Sequence, residues 1–419
     1  MALAITGARL DGNEIGLRVA DGRIEELGPD VVARAGDEVI DASGLALIPG
    51  LINAHTHAAM TLFRGYADDL PLLEWLQRYI WPAEQRLERE DVYWGTRLAC
   101  LEMARAGTIR FWDHYWKHAA TARAVKDAGL RAVVGALLID DKDPDKSPKL
   151  LAKARRALDE IEEAGEGAVR PALAPHAIYT VSEPSLRGIA EISEERDVPI
   201  EIHLSETEQE VMDCVAETGL RPAHYLDRTG MLGPRTLLAH CVWLDQSEIE
   251  LIVERGATMV TNPVANQKLA VGGVFPYAAA RAAGAQVGLG TDGAGSNNSL
   301  DLLDDVKAFA LIQKHIAADP AAVTAAEAWE IATGQRAKLI GGTAPAVGAP
   351  ADFALARLDS PGLALGQLDA GLVYAADASA IRLTVVGGRV AYRQGDRGAL
   401  DEVLGHARER AARLGLVTD

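Results

Sequence analysis

The stretch LALIPGLINAHTHAAMTLFRG, residues 45–65, decides how the chain is read. An apolar run from Leu45 to Ile52, broken at Pro49-Gly50, delivers His55 and His57 two positions apart. Side chains at i and i+2 of an extended segment share a face, so the two imidazoles can grip one object. Neutral imidazoles at the end of a buried strand are costly to leave unpaired, and a transition metal is the commonest partner that satisfies both. Alone, the pair also has a plainer reading: one ring caps a strand and the other is solvated.

The sequence downstream favours the metal. After LINAHTH come seven further apolar runs of strand length, TIRFWDH, RAVVGALLID, VRPALAPH, VPIEIHLSE, RTLLAHC, ATMVTNP and AQVGLGTD, each separated from the last by amphipathic helical sequence. SEPSLRGIAEISEERD opens with Ser182 at a cap position and Pro184 in the first turn, and DQSEIELIVERG closes on Gly256. Eight strand and helix alternations predict an α/β fold, a (β/α)8 TIM barrel over residues 51–345, with its chemistry at the carboxyl ends of the strands. Those ends read His55 and His57, Asp113 and His114, Asp140, His176, His203 with Glu206, His240, Asn262 and Asp292. Three imidazoles and one carboxylate leave a metal site open to water, and His55, His57, His203 and Asp292 make that set. A second ion would need a bridging ligand such as a carboxylated lysine, and the fourth strand ends in His176 instead. One divalent ion per chain is expected, Zn2+ first, although Fe2+, Mn2+ or Ni2+ accept the same donors.

The flanks have another texture. Residues 1–50 are short alternating segments with turn pairs, among them Asp21-Gly22, a hairpin signal, and residues 346–398 repeat the pattern in ADFALARL and IRLTVVGGRVAYR. The two ends are expected to meet in a small β-sandwich domain, with residues 399–419 forming a helix packed on the outside. At 419 residues and 48% hydrophobic content the chain can bury a large core. Its net charge of −18 and lack of a basic stripe argue against nucleic acid or an anionic membrane as partner. No apolar stretch approaches the roughly 18 residues that span a bilayer, and the amino terminus lacks a basic then apolar leader, so a cytoplasmic protein is expected. Cys100, Cys214 and Cys241 suit reduced thiols. Cys241 beside His240 reads as a nucleophile or as a packed thiol.

The segments PGLINAHTHAAMTLFRGYADDLPLLEWL, IWPAE, APHAIYT, HLSET, LLAHC, NPVANQKLA and GTDGAGSNNSLDLLDD resemble the amidohydrolase superfamily, in the branch of the methylthioadenosine and S-adenosylhomocysteine deaminases. The resemblance implies a mononuclear metal on His55, His57, His203 and Asp292, Glu206 as proton shuttle and His240 as partner of the attacking water. It implies Glu84 as the grip on ribose hydroxyls and His176 as a purine contact. A dimer or tetramer is the family-like expectation.

Residue chemistry runs the same way. A carboxyl beside the metal can protonate the ring nitrogen once aromaticity is broken, and Glu206 lies three residues beyond His203. Its plain reading is a helix-start acid. Asp292 serves as ligand and proton acceptor; His240 orients the water or is a fifth ligand. Glu84, after Trp81-Pro82, accepts from a vicinal diol or is a solvated acid. Trp81 is expected at the substrate. Asn262, Asn266 and Lys268 shape the pocket or hold a turn. The acidic stretch DDKDPDKSPK and Arg155, Arg156 and Arg170 leave the 5′ substituent of the nucleoside open: methylthio, homocysteinyl, deoxy or larger, as in aminodeoxyfutalosine. The expected reaction is hydrolytic deamination of an adenine nucleoside to its inosine counterpart plus ammonia. The alternatives are attack on another amino- or chloro-heterocycle, such as guanine, an oxidised purine or a triazine, and a non-catalytic scaffold.

Overall fold

In the computed structural model, which describes residues 2–416, the Leu45–Thr56 stretch crosses between two sheets. Strands β1 (Leu3–Leu10), β2 (Asn13–Ala20), β3 (Arg23–Gly28), β4 (Glu38–Asp41) and β5 (Leu45–Pro49) belong to one, and β6 (Leu51–Thr56) starts the other. Gly50 joins them because nothing larger fits: a Cβ there would lie 2.3 Å from Ile109 Cγ2. The apolar run therefore divides at the break into one strand for each sheet.

The second sheet continues through β7 (Thr108–Tyr115), β8 (Arg131–Leu138), β9 (Val169–Pro175), β10 (Ile200–Leu204), β11 (Thr236–His240), β12 (Thr258–Thr261) and β13 (Gln286–Leu289). These eight parallel strands lie side by side in chain order, and each falls on one of the eight apolar runs. β6, β10, β11 and β12 are buried at every position, as strands of a parallel barrel must be. Where β13 returns to β6 there is no ladder. Asp292 N–H donates to His55 O (3.0 Å), and the Asn53 amide spans the gap by donating to Thr291 Oγ1 (2.7 Å) and accepting from Thr291 N–H (3.0 Å). The seam thus brings the last ligand-bearing segment against the first. Helices lie between the strands where the signals put them. Glu183–Arg196 carries Pro184 in its first turn, but the Ser182 hydroxyl donates to Asp140 Oδ2 (2.6 Å) and caps nothing. Gln246–Arg255 has a reciprocal cap of Asp245 and Glu248 and stops at Gly256, whose φ is +74°.

After the barrel, β14 (Phe353–Arg357), β15 (Ile381–Val386) and β16 (Arg389–Arg393) return to the first sheet. Its order is β16-β15-β14-β5-β1-β2-β3, with β4 on β1, so the two ends of the chain meet in one continuous mixed sheet. Asp21-Gly22 makes the β2–β3 hairpin with φ of +50° and +74°, the geometry a two-residue primed turn requires. The helix Gly398–Leu414 packs on Arg89–Arg105: Arg413 pairs with Asp91 and donates to Arg86 O (3.0 Å), and His406 stacks on Trp94 at 3.8 Å. Among the described residues no helix is long and apolar enough to cross a membrane.

Candidate active site

A cleft opens at the carboxyl ends of the barrel strands, and its floor is a cluster of imidazoles. The His55 ring centroid lies 5.0 Å from those of His57 and His203 and 5.5 Å from that of His240. Asp292 Oδ1 stands 3.2 Å from His57 Nε2 and 3.6 Å from His55 Nε2. Two overlapping donor groups result, His55–His57–Asp292 and His55–His203–His240, so the four expected ligands come together with His240.

The second nitrogen of each ring fixes its tautomer. His57 Nδ1 meets His114 O and His203 Nδ1 meets His176 O at 2.6 Å; a carbonyl only accepts, so both Nδ1 atoms carry a proton and the Nε2 atoms are the ones available as metal donors. His55 Nδ1 meets the fully buried Glu201 Oε1 at 2.7 Å with the same consequence. His55 Nε2 is buried without any hydrogen-bond partner. Burial disfavours the His55 imidazolium, yet Asp292 and Glu201 outweigh it and raise its pKa to about 10. Burial likewise opposes ionisation of Asp292, but the adjacent His55 and His57 rings hold it well below the ordinary carboxylate range. The pocket therefore sets an ionised Asp292 beside a buried ring nitrogen that has no hydrogen-bond partner. A metal ion fits that donor set: it would take the Nε2 atoms in place of a proton and neutralise the carboxylate.

Asp292 is held in place by its surroundings. Its φ is +63°, Oδ1 accepts from Gly293 N–H (2.8 Å) and Oδ2 from Ser296 Oγ (2.7 Å). Gly290, two residues earlier, lets the segment pass close to β6; a Cβ would sit 2.8 Å from His55 O.

Glu206 lies on a turn above the cluster, with Oε1 3.8 Å from His240 Nδ1. The helix after it begins at Glu208 with Thr207 as its cap, so Glu206 stands outside the first turn and is not a helix-start acid. What aims it is Glu210, whose carboxylate accepts from Ser205 N–H and Glu206 N–H, both at 2.9 Å. Burial raises the Glu206 carboxyl to about 7, against the opposing pull of His240. His240 Nδ1 lies 2.8 Å from Asn266 Oδ1 and 3.3 Å from Asn262 Nδ2. Asn266, expected at the substrate, does not line the cleft; its carbonyl oxygen is taken by His240.

Glu84, Trp81 and His176 all line the cleft. Glu84 Oε2 accepts from Trp116 Nε1 (2.9 Å), and burial raises its pKa, offset in part by Trp116. Burial lowers His176 to about 3, leaving a neutral ring whose Nδ1 meets Thr180 Oγ1 at 3.0 Å. The other strand ends divide. Asp140 turns away and ties Ser182 and Ser185, a purely structural use. His114 lines the cleft with both ring nitrogens unpartnered. Cys241 is fully buried, its Sγ donating to Leu238 O (3.4 Å) and its pKa raised by burial, which fits the packed-thiol reading. Sequence reasoning passed over Glu201, Glu210 and Trp116. For Glu201 a signal existed: an acid inside the apolar run VPIEIHL, two positions before His203.

The chain belongs to the amidohydrolase family, which matches residues 46–391. Within it the relatives are nucleoside deaminases. A 5'-deoxyadenosine deaminase of Methanoregula boonei is 43% identical over 94% of this chain and 91% of its own length. A 5-methylthioadenosine/S-adenosylhomocysteine deaminase of Archaeoglobus fulgidus is 43% identical over 92% and 90%. Among solved structures, a zinc-bound adenosine deaminase of Xanthomonas campestris superposes with a TM-score of 0.89 at 32% identity, covering 99% of this chain and 98% of that one.

Proposed function

We propose that the chain is a metal-dependent aminohydrolase that converts an adenine nucleoside and water to the inosine counterpart and ammonia. The observation that carries this reading is the buried cluster of three imidazoles and Asp292 with a protonatable Glu206 above it and the Glu84 carboxylate in the same cleft. When bound on His55, His57, His203 and Asp292, a divalent ion supplies a water molecule acidified toward neutrality. Asp292 accepts the proton of that water, and His240, steadied by Asn266, orients it. Attack at the ring carbon bearing the amine disrupts aromaticity and leaves charge on the adjacent ring nitrogen. Glu206 holds a proton near neutral pH because it is buried, and gives it to that nitrogen. The proton held by Asp292 passes to the leaving amine, the carbon–nitrogen bond breaks, and ammonia departs as the carbonyl forms, its hydroxyl proton returning to Glu206.

Glu84 accepts from the vicinal hydroxyls of ribose, with its second oxygen braced by Trp116; a free base leaves this carboxylate unpaired, which costs affinity. His176 meets the purine as a neutral ring, and Trp81 forms part of the wall. The finer reading is one ion per subunit, Zn2+ by preference, in a cytoplasmic dimer or tetramer that binds no nucleic acid. Its parts are residues 1–50 with 346–398 as a small β unit, built on one continuous mixed sheet where a sandwich was expected, 51–345 as the barrel and 399–419 as the outer helix, which is described to residue 416.

Ammonia release measured across adenosine, 5′-methylthioadenosine, guanine and a triazine tests the reading. Turnover of the nucleosides is expected, and turnover confined to guanine or the triazine would replace it with the other heterocycle chemistry.

A further inference from the structure

Lys268, in the segment NPVANQKLA, takes no part in the reaction as drawn. It ends the short helix Pro263–Lys268, which is bound at its start to the floor of the cleft. Val264 N–H donates to Asp305 Oδ1 (3.1 Å), Asn297 Nδ2 donates to Asp305 Oδ2 (2.9 Å), and the same amide donates to Thr291 O (2.8 Å), beside Asp292. Asn262 and Asn266 reach His240 from the same helix and its cap. From this frame Lys268 Nζ reaches outward to Asp68 Oδ1 (2.7 Å), Asn298 Oδ1 (2.9 Å) and Gly295 O (3.3 Å), so all three protons of the ammonium are engaged. Asn298 Nδ2 donates to Asp68 Oδ2 (2.9 Å) and closes a ring of three side chains. Only about a quarter of the Lys268 and Asp68 side chains is exposed, 25% and 27%.

Asp68 begins the wall of the cleft. Ala67 and Asp69 on either side of it have φ of +56° and +65°, a left-handed backbone that residues with side chains hold only where their surroundings fix it. Helical turns then run from Leu72 to Glu84, with a π turn at Leu76–Ile80, and deliver Trp75, Trp81 and Glu84 to the cleft. Trp75 Nε1 donates back to Tyr66 O (3.3 Å), and its ring lies against Gly295, where a Cβ would come within 3.2 Å of it. Among the described residues, the side-chain hydrogen bonds that join residues 66–84 to the rest of the chain are those of Asp68 at one end and the Glu84–Trp116 bond at the other.

Resting on the proposed deamination, we infer that Lys268 is a positioning residue: it fixes the wall that carries Glu84 against the floor that carries the metal ligands and His240. The latch sets the span between the carboxylate that grips the diol and the place where the ring carbon reacts. A nucleoside has its ring and ribose joined at a fixed length, so it engages both ends only when that span is right. A free base touches the floor alone and does not feel the latch.

The test measures adenosine turnover, metal content and calorimetric titration of inosine, which reads the pocket without turnover, in Lys268→Gln, Lys268→Arg and Asp68→Ala. In Lys268→Gln, KM for adenosine should rise about tenfold and inosine affinity should fall by the same factor, the scale of a lost charge-assisted hydrogen bond, with kcat and metal content kept. Asp68→Ala should act in the same direction, and it carries the test alone where Lys268→Gln does not fold. Lys268→Arg keeps the charge and should recover much of the loss. In a Glu84→Ala background, Lys268→Gln should add little, because the group it places is gone. An unchanged KM and inosine affinity in either latch variant, loss of metal from Lys268→Gln, or a full multiplicative effect in the Glu84→Ala background would overturn the inference while leaving adenine deamination intact. A natural chain that turns over no adenine nucleoside would overturn the activity, and the inference with it.

Discussion

At the floor of the cleft, His55, His57, His203 and Asp292 stand at or just beyond strand ends, and each is held from behind by a fixed partner: Glu201, His114 O, His176 O and Ser296. At its wall, Trp75, Trp81 and Glu84 stand on short helical turns between residues 72 and 84, and the Glu84 carboxylate is braced by Trp116 from across the cleft. These four floor side chains are fixed because a buried polar group is costly to leave without a partner. The wall is apolar and partly exposed, and its one polar group makes few bonds. On the proposed reading, chemistry falls on the buried, braced part of the cleft and selection among substrates on its more open wall.

Stripping the ion with a chelator strikes at the floor and should abolish ammonia release altogether, with activity restored by added Zn2+; a chelated, metal-free sample that still deaminates adenosine would break the contrast at its strongest point. Next comes Glu206→Gln, which keeps shape and removes the proton. Turnover should fall at least about a hundredfold with metal content unchanged, the scale of a lost general acid, and unaltered kcat would remove Glu206 from the reaction. Glu84→Ala acts on the wall: KM for adenosine should rise about ten- to a hundredfold with kcat less affected, while free bases are indifferent. Equal effects on both would mean the carboxylate does not meet ribose.

The smallest effect expected is on the turn that aims Glu206. Burial raises Glu210 from the ordinary 4.5 to about 7 in the folded chain. The folded chain therefore binds more protons than the unfolded one between those values, and the stability supplied by this group is lost as pH climbs from about 4.5 to about 7. Glu210→Gln has no such loss. In urea titrations its stability deficit relative to the natural chain should shrink by roughly 1–3 kcal/mol between pH 5 and pH 8; a constant deficit would show that Glu210 is ionised throughout.

The same contrast separates what the sequence made legible from what it did not. The eight barrel strands, the crossing at Pro49-Gly50 and the Asp21-Gly22 hairpin were readable because apolar runs and turn pairs are local signals. The metal-capable residues were readable because a parallel barrel collects its strand ends in one place, so positions far apart in sequence share a ring. Contacts between those ends were not. Asn53 spanning the seam to Thr291 joins residues 238 apart, and Trp116 reaching Glu84 depends on how two loops lie across each other. Asn266 sat in a motif beside the site and was read toward the substrate, whereas its oxygen serves His240. Asp140 had the right position and the wrong direction: its carboxylate turned to Ser182 and Ser185, which no periodicity in β8 reveals.

The most direct measurement is the metal content of the purified chain beside that of Asp292→Ala. About one equivalent of a divalent ion per natural chain and little or none in the variant is the predicted result. A variant that retains a full equivalent would contradict the assignment of Asp292 and, with it, the convergence of the last strand of the barrel on the first.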